Sequence, residues 1–89
     1  MELNTDIEPQ EHITRYVFGS AVYSSSPNDI DVAIIYDKQY VTVEDAIAYR
    51  RRLIEKMKQL NSLPIDTILL STEEEKEMAF LENAKVLAF

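Results

Sequence analysis

Residues 17–37 constrain this chain most, because they join its single glycine to two closely spaced aspartates. The stretch reads Val-Phe-Gly-Ser-Ala-Val-Tyr-Ser-Ser-Ser-Pro-Asn-Asp-Ile-Asp-Val-Ala-Ile-Ile-Tyr-Asp. The branched and aromatic residues 30–36 predict a well-buried strand, so that Asp29 and Asp31 stand at its beginning. Side chains two residues apart lie on one face of a strand, with Cα atoms about 7 Å apart. We therefore expect the two carboxylates to share a face, where a bound cation would relieve their repulsion.

Strand and helix patterns alternate along the chain. They predict strands over residues 15–18, 30–36 and 65–70, a long helix over 42–61, a last helix from near Glu73, and a short strand or docked end over 85–89. A short turn or helix is predicted at 8–13 and another at 21–23. The long helix should bury an apolar face, formed by Val43, Ala46, Ile47, Leu53, Ile54, Met57 and Leu60. The order predicts one α/β (α+β) domain over residues 1–89, a small mixed sheet with helices packed on one face.

Composition limits the classes of partner. The chain has 16 acidic and 9 basic residues, a net charge of -7, which disfavours a polynucleotide as the main partner. The run Arg50-Arg51-Arg52 is interpreted either as a solvated helix surface or as a site for a triphosphate or an acidic partner. His12, the single histidine, is expected at the surface. The absence of cysteine excludes disulfides and thiolate metal sites, and without a predicted membrane span or leader we expect a cytoplasmic protein.

Gly19 and Ser20 follow the first predicted strand directly. A glycine lets the backbone turn sharply, or lets a ligand come close, because it has no Cβ. Ser20 stands where a short helix could begin, and its hydroxyl and the free N–H groups there suit a phosphate. The alternative is an ordinary helix cap. Asp66, the second residue of the third predicted strand, occupies the same kind of position as Asp29 and Asp31.

These features together resemble the DNA polymerase beta-like nucleotidyltransferase superfamily. The likeness consists of Gly19-Ser20 after a short strand, a serine-rich loop, the Asp29-x-Asp31 pair at the start of a strand, and Asp66 on a later strand. It is closest to the smallest branch, the minimal nucleotidyltransferases of prokaryotes, and covers most of the chain from about Tyr16 onward. The ending Glu-Asn-Ala-Lys-Val-Leu, residues 82–87, is also similar to the tails of that branch.

The resemblance implies a role for each of these residues. Asp29 and Asp31 would hold two Mg²⁺ ions that bridge a nucleoside triphosphate, and Asp66 would complete the metal site and help the acceptor hydroxyl lose its proton. Gly19 and Ser20 would receive the β- and γ-phosphates. The implied reaction is transfer of a nucleoside monophosphate, AMP from ATP in the simplest case, to a hydroxyl of a protein or small molecule. Minimal members often serve as the antitoxin of a helical HEPN-type toxin.

The chain departs from the branch in two ways. Eight residues separate Ser20 from Asp29, where the branch commonly has about ten, and Ala21, Val22 and Tyr23 stand where it usually has an arginine. A missing cation would weaken triphosphate binding, which Arg15 or a partner's arginine could offset. The alternative function is therefore a catalytically degenerate module that binds a partner protein.

An interface is predicted on the carboxylate face of the sheet. The apolar residues expected on that face have no second domain to cover them, and an exposed apolar patch usually marks an interface. They are Ala33, Ile35, Ile68 and Leu70. We accordingly expect a homo-oligomer or a tight complex with another protein. The alternative without a function is that three unrelated acids stand at strand ends, namely Asp29, Asp31 and Asp66.

Overall fold

The computed structural model describes residues 10–19, 22, 28–60 and 62–89 of the chain. In these ranges the elements are β1 (Ile13–Phe18), β2 (Ile30–Tyr36), α1 (Val43–Leu60), β3 (Ile65–Ser71), α2 (Thr72–Met78), α3 (Phe80–Asn83) and β4 (Val86–Ala88). The predicted α+β fold with a small mixed sheet is confirmed. Strand β1 begins two residues earlier than predicted, and the C-terminal residues form a strand. The helix predicted at 21–23 lies outside the described residues except for Val22.

The four strands form one sheet in the order β3-β2-β1-β4. Strand β2 runs parallel to β3 and antiparallel to β1, and β4 runs antiparallel to β1. The parallel pair needs a crossover connection, which α1 provides. Because β2 and β3 run in the same direction, their first residues lie at the same end of the sheet, and this is where the candidate site is found.

Helix α1 covers one face of the sheet. Thr42 caps it, since the Thr42 hydroxyl accepts a hydrogen bond of 3.1 Å from the Asp45 N–H. The buried side chains of α1 are Ala46, Tyr49, Leu53 and Met57, which pack with Ile13, Ile30, Val32, Ile34, Tyr36 and Val41. The predicted apolar face was wrong at both ends, where Val43 and Leu60 are 46% and 48% exposed. Within the described residues, no helix is both long and apolar enough to cross a membrane.

The segment after β3 returns across the opposite face of the sheet. Helix α2 contacts β3 and β2. The Phe80 ring of α3 then packs edge-on against Phe18, at 5.1 Å between ring centroids. Phe18 is paired in register with Asp31, so this contact lies on the carboxylate face. The long helix thus packs on one face as expected, and the two short helices add a partial layer on the other.

That layer overturns the expectation of an exposed apolar patch. Ala33 is fully buried, Ile35 and Leu70 are 5% and 8% exposed, and Ile68 is half-buried. The expectation of an open face was based on the lack of a second domain to cover these residues. The connection from β3 to β4 must cross the whole sheet, however, because the two strands lie at opposite edges. The apolar residues on this face are thus covered by the chain itself.

Candidate metal centre

Three carboxylates meet where β2 and β3 begin. Asp31 and Asp66 are register partners on the adjacent parallel strands, and Asp29 lies just before β2. One carboxylate oxygen from each of the three lies within 4.8 Å of the others. Asp29 and Asp31 are half-buried, and Asp66 is exposed. The grouping expected from the sequence is therefore present.

The strand pairing explains why these acids converge. In a parallel pair, side chains of register partners lie on the same face of the sheet, so that Asp31 and Asp66 lie side by side. The strand period then places Ala33 and Ile35, with Ile68 and Leu70, further along that face. The carboxylates are consequently at the edge of an apolar layer that limits their access to water from one side.

The electrostatics of the cluster are unfavourable without a cation. Partial burial raises the pKa of Asp31 above its ordinary value of 3.8, and the charges of Asp29 and then Asp66 raise it further. Oxygen ligands from carboxylates are what Mg²⁺ and similar hard cations prefer, and a divalent charge would reverse the repulsion. The three carboxylates could therefore hold a metal ion.

Gly19 lies directly against the cluster. Its backbone has φ of +73°, and a Cβ atom built at this position would collide with the carboxylate of Asp31. Both observations require glycine: L-residues with a side chain rarely adopt this φ, and there is no room for one. The end of β1 therefore touches the carboxylate that β2 supplies, which links the glycine of the motif to the aspartate pair.

Ser20, the other residue expected at the phosphates, lies outside the described residues. Nearby, the N–H of Val22 donates a hydrogen bond of 3.0 Å to the carbonyl of Gly19. Gly19 itself lies in a turn, as expected for a glycine at the end of a strand.

Arg15 does not serve the role suggested for it. Its register partner is Ile34, whose side chain belongs to the core beneath α1, so Arg15 lies on the face opposite the carboxylates. Its Nε donates a hydrogen bond of 3.1 Å to the main-chain oxygen of Phe89, and its guanidinium lies 4.9 Å from the centre of the Phe89 ring. Arg15 holds the C-terminal residues against β1 and cannot offset a missing cation at the phosphates.

Two aromatic residues beside the cluster were not predicted as part of the site. Phe18 pairs with Asp31 across the β1–β2 ladder, and Phe80 packs on Phe18. Both rings are half-buried. The position of Phe18 directly before Gly19 could have identified it as part of the site. Nothing in the sequence near Phe80 indicates that α3 packs beside the carboxylates.

Comparison with known proteins found no family model, no curated protein and no solved structure that matches this chain.

Proposed function

We propose that this protein is a magnesium-dependent nucleotidyltransferase that transfers a nucleoside monophosphate from a triphosphate such as ATP to a hydroxyl group. The observation that supports this most is the convergence of Asp29, Asp31 and Asp66 within 4.8 Å, with Gly19 turned against Asp31. A lone acidic cluster would have many explanations. Here the cluster lies against Gly19, where the lack of a side chain would let a triphosphate held by the metal come close.

The three carboxylates differ in exposure, and we assign them different roles on that basis. Asp29 and Asp31 are half-buried and fixed at the start of β2, so they would hold the metal. Asp66 is exposed and can reach a second substrate, so it would receive the proton of the acceptor hydroxyl. Bound Mg²⁺ would supply charge stabilisation to the attacking and leaving oxygens.

The bonds balance without any further reactant. The acceptor oxygen forms a bond to the α-phosphorus, and the bond from that phosphorus to the oxygen bridging the β-phosphorus breaks. Pyrophosphate leaves with the electron pair, and the acceptor proton passes to Asp66. The acceptor is a hydroxyl of a protein or a small molecule, because a net charge of -7 disfavours a polynucleotide.

Calorimetric titration with ATP and the other nucleoside triphosphates, with and without Mg²⁺, tests the proposal. The wild type should bind a triphosphate only when Mg²⁺ is present, and the Asp29→Asn, Asp31→Asn double variant should not bind it. An Asp45→Asn, Glu55→Gln double variant is the matched control, since it removes two charges at exposed positions of α1, the helix on the face opposite the carboxylates. Absence of binding, or binding that neither Mg²⁺ nor the first double variant affects, would contradict the proposal.

A second candidate function is a catalytically degenerate module that binds a partner protein. The position of Arg15 favours it, because the cation expected to assist the phosphates is engaged with Phe89 on the other face. This candidate predicts a partner complex that forms equally well with the Asp29→Asn, Asp31→Asn variant. A helical HEPN-type toxin is the partner that the sequence resemblance suggests, and co-purification of the chain with such a protein, in both forms, is the measurement.

A further inference from the structure

The two edges of the sheet differ sharply in how they are protected. Strand β4 forms one edge with only three residues, and Lys85 stands directly before it. Strand β3 forms the other edge with seven residues, Ile-Asp-Thr-Ile-Leu-Leu-Ser. Short strands, lysine and proline are the usual means of preventing further strands from pairing. Strand β3 is long and contains neither residue, although Pro64 stands directly before it. Within the described ranges, no strand pairs with the outer side of β3.

The outer side of β3 also leaves apolar surface incompletely covered. Ile68 and Leu69 are half-buried, whereas their register partners on β2, Ala33 and Ile34, are fully buried. Because side chains of adjacent residues in a strand point to opposite faces, Ile68 lies at the edge of one face of the sheet and Leu69 at the edge of the other. An added strand would bury both and would pair the outward N–H and C=O groups of β3.

The charges around β3 indicate what kind of strand fits. From residue 59 to residue 75 the sequence contains no lysine, arginine or histidine, while Asp66 stands near one end of β3 and residues 73–75 are three glutamates just beyond the other. The nearest bases along the chain are Lys58 and Lys76, and the charge of Lys38 acts on Glu74. A second copy related by a two-fold axis would pair antiparallel, which would place Asp66 of each copy near the glutamates of the other. Like charges across a strand pair are unfavourable, which argues against a second copy.

We propose that the outer edge of β3 binds an extended segment of another protein as a fifth strand. The segment is apolar or β-branched at its centre and carries lysine or arginine at both ends. Main-chain hydrogen bonds to β3 supply affinity, Ile68 and Leu69 contact its central side chains, and the acids at either end select its charge. The main-chain pairing requires neither the metal nor the proposed transfer reaction, but Asp66 also belongs to the carboxylate cluster, so the titrations below are done without Mg²⁺.

Two labelled peptides with the same Thr-Val-Thr-Val-Thr centre test the proposal. The lysine peptide has two lysines at each end, and the glutamate peptide has two glutamates at each end. In fluorescence anisotropy titrations the dissociation constant of the lysine peptide should be lower than that of the glutamate peptide by about tenfold or more. The difference between the two dissociation constants should become smaller at high salt. The Thr67→Lys variant, which adds a cation to the edge, should lose about tenfold in affinity for the lysine peptide. Leu87→Lys, the same charge change on the β4 edge, should bind like the wild type.

Amide hydrogen exchange of the wild type tests the proposal without relying on a variant that could fail to fold. The lysine peptide should slow the exchange of alternate amides in β3 and leave those of β4 unchanged. No binding of the lysine peptide, equal binding of both peptides, or protection of β4 instead would overturn the proposal. So would self-association in sedimentation that Thr67→Lys abolishes, because the occupant of the edge would then be a second copy.

Discussion

Asp31 occupies a position that opposes folding and favours ligand binding. Two further carboxylates lie within 4.8 Å of it, and it is partly removed from water. Two unit charges at that separation repel by roughly 1 kcal/mol even at the dielectric constant of bulk water. A residue that destabilises the protein in this way is typical of a functional site, since a purely structural position would not keep it.

Replacement of Asp31 by asparagine should therefore stabilise the metal-free protein at pH 7. The pKa of Asp31 is raised, so the stability that the protonated carboxyl contributes is present below about pH 3.8 and is lost as the pH rises through the raised pKa. The advantage of the Asp31→Asn variant should then grow over that interval to roughly 1 kcal/mol, a few degrees in Tm. Thermal unfolding as a function of pH measures it, and a variant less stable than wild type at pH 7 would refute the argument.

Gly19→Ala tests the contact between the turn and the carboxylate. The backbone strain of a side chain at φ +73° should cost about 1–2 kcal/mol, and the new methyl group must displace the carboxylate of Asp31. We expect a loss of stability together with a loss of Mg²⁺ binding, measured by denaturant unfolding and by calorimetry. Mg²⁺ affinity equal to that of the wild type would show that the position of the Asp31 carboxylate does not matter.

Much of the candidate site could be predicted from local sequence pattern. Asp29, Asp31 and Asp66 were recognisable because acids at the start of buried strands are costly without a cation. The contact of Gly19 with Asp31 was not predictable, since it depends on the register between β1 and β2, which turn and packing geometry determine. The engagement of Arg15 with Phe89 depends on a strand pairing across most of the chain length and left no local signal.

At the scale of elements, Ser71 joins β3 directly to α2. The Ser71 hydroxyl accepts a hydrogen bond of 3.2 Å from the Glu74 N–H, and the Glu74 carboxylate accepts one of 3.0 Å from the Ser71 N–H. These two hydrogen bonds form a capping box, with Ser71 as the N-cap residue of α2. The strand passes into the helix without a loop here, and the capping box provides partners for the N–H groups of Ser71 and Glu74.

Ser71→Ala should destabilise the protein by about 1 kcal/mol, the usual cost of removing an N-cap side chain. The exposed Ser62→Ala change is the control and should have little effect in the same denaturant unfolding experiment. The hydrogen bonds from Ser71 lower the pKa of Glu74 from its ordinary value of 4.5. The stability from this pair is therefore complete above pH 4.5 and should disappear as the pH falls through the lowered pKa. Equal stability of Ser71→Ala and wild type would contradict the capping role.

The elements themselves were largely predictable, and their exact burial was not. The period of the apolar residues identified α1 and three of its four buried side chains, Ala46, Leu53 and Met57. It missed Tyr49, which is 1% exposed, because the polar hydroxyl made it a weak core candidate. That hydroxyl has no hydrogen-bond partner among the described residues, so the ring is buried in spite of its polar end.

At the scale of the whole molecule, the connection between the sheet edges decides which surfaces are free. Strand order β3-β2-β1-β4 forces the segment after β3 over the carboxylate face, where it covers Ala33 and Ile35. No local pattern contains that information, which is why the sequence predicted an open face. The same strand order leaves β3 at an edge, and so moves the expected interaction surface from the face of the sheet to its side.

The net charge of -7 gives the last prediction, because it allows a bound divalent ion to be separated from general screening. Potassium chloride should raise the Tm slightly in every variant by screening self-repulsion. Mg²⁺ at the same ionic strength should raise the wild-type Tm further, since an ion that binds only the folded state stabilises it by mass action. At ten times its dissociation constant the extra stabilisation is about 1.4 kcal/mol, or roughly 6 °C for a domain of this size. The Asp29→Asn, Asp31→Asn variant should show the potassium response alone, whereas an equal effect of the two salts on the wild type would mean that the three carboxylates do not hold the ion.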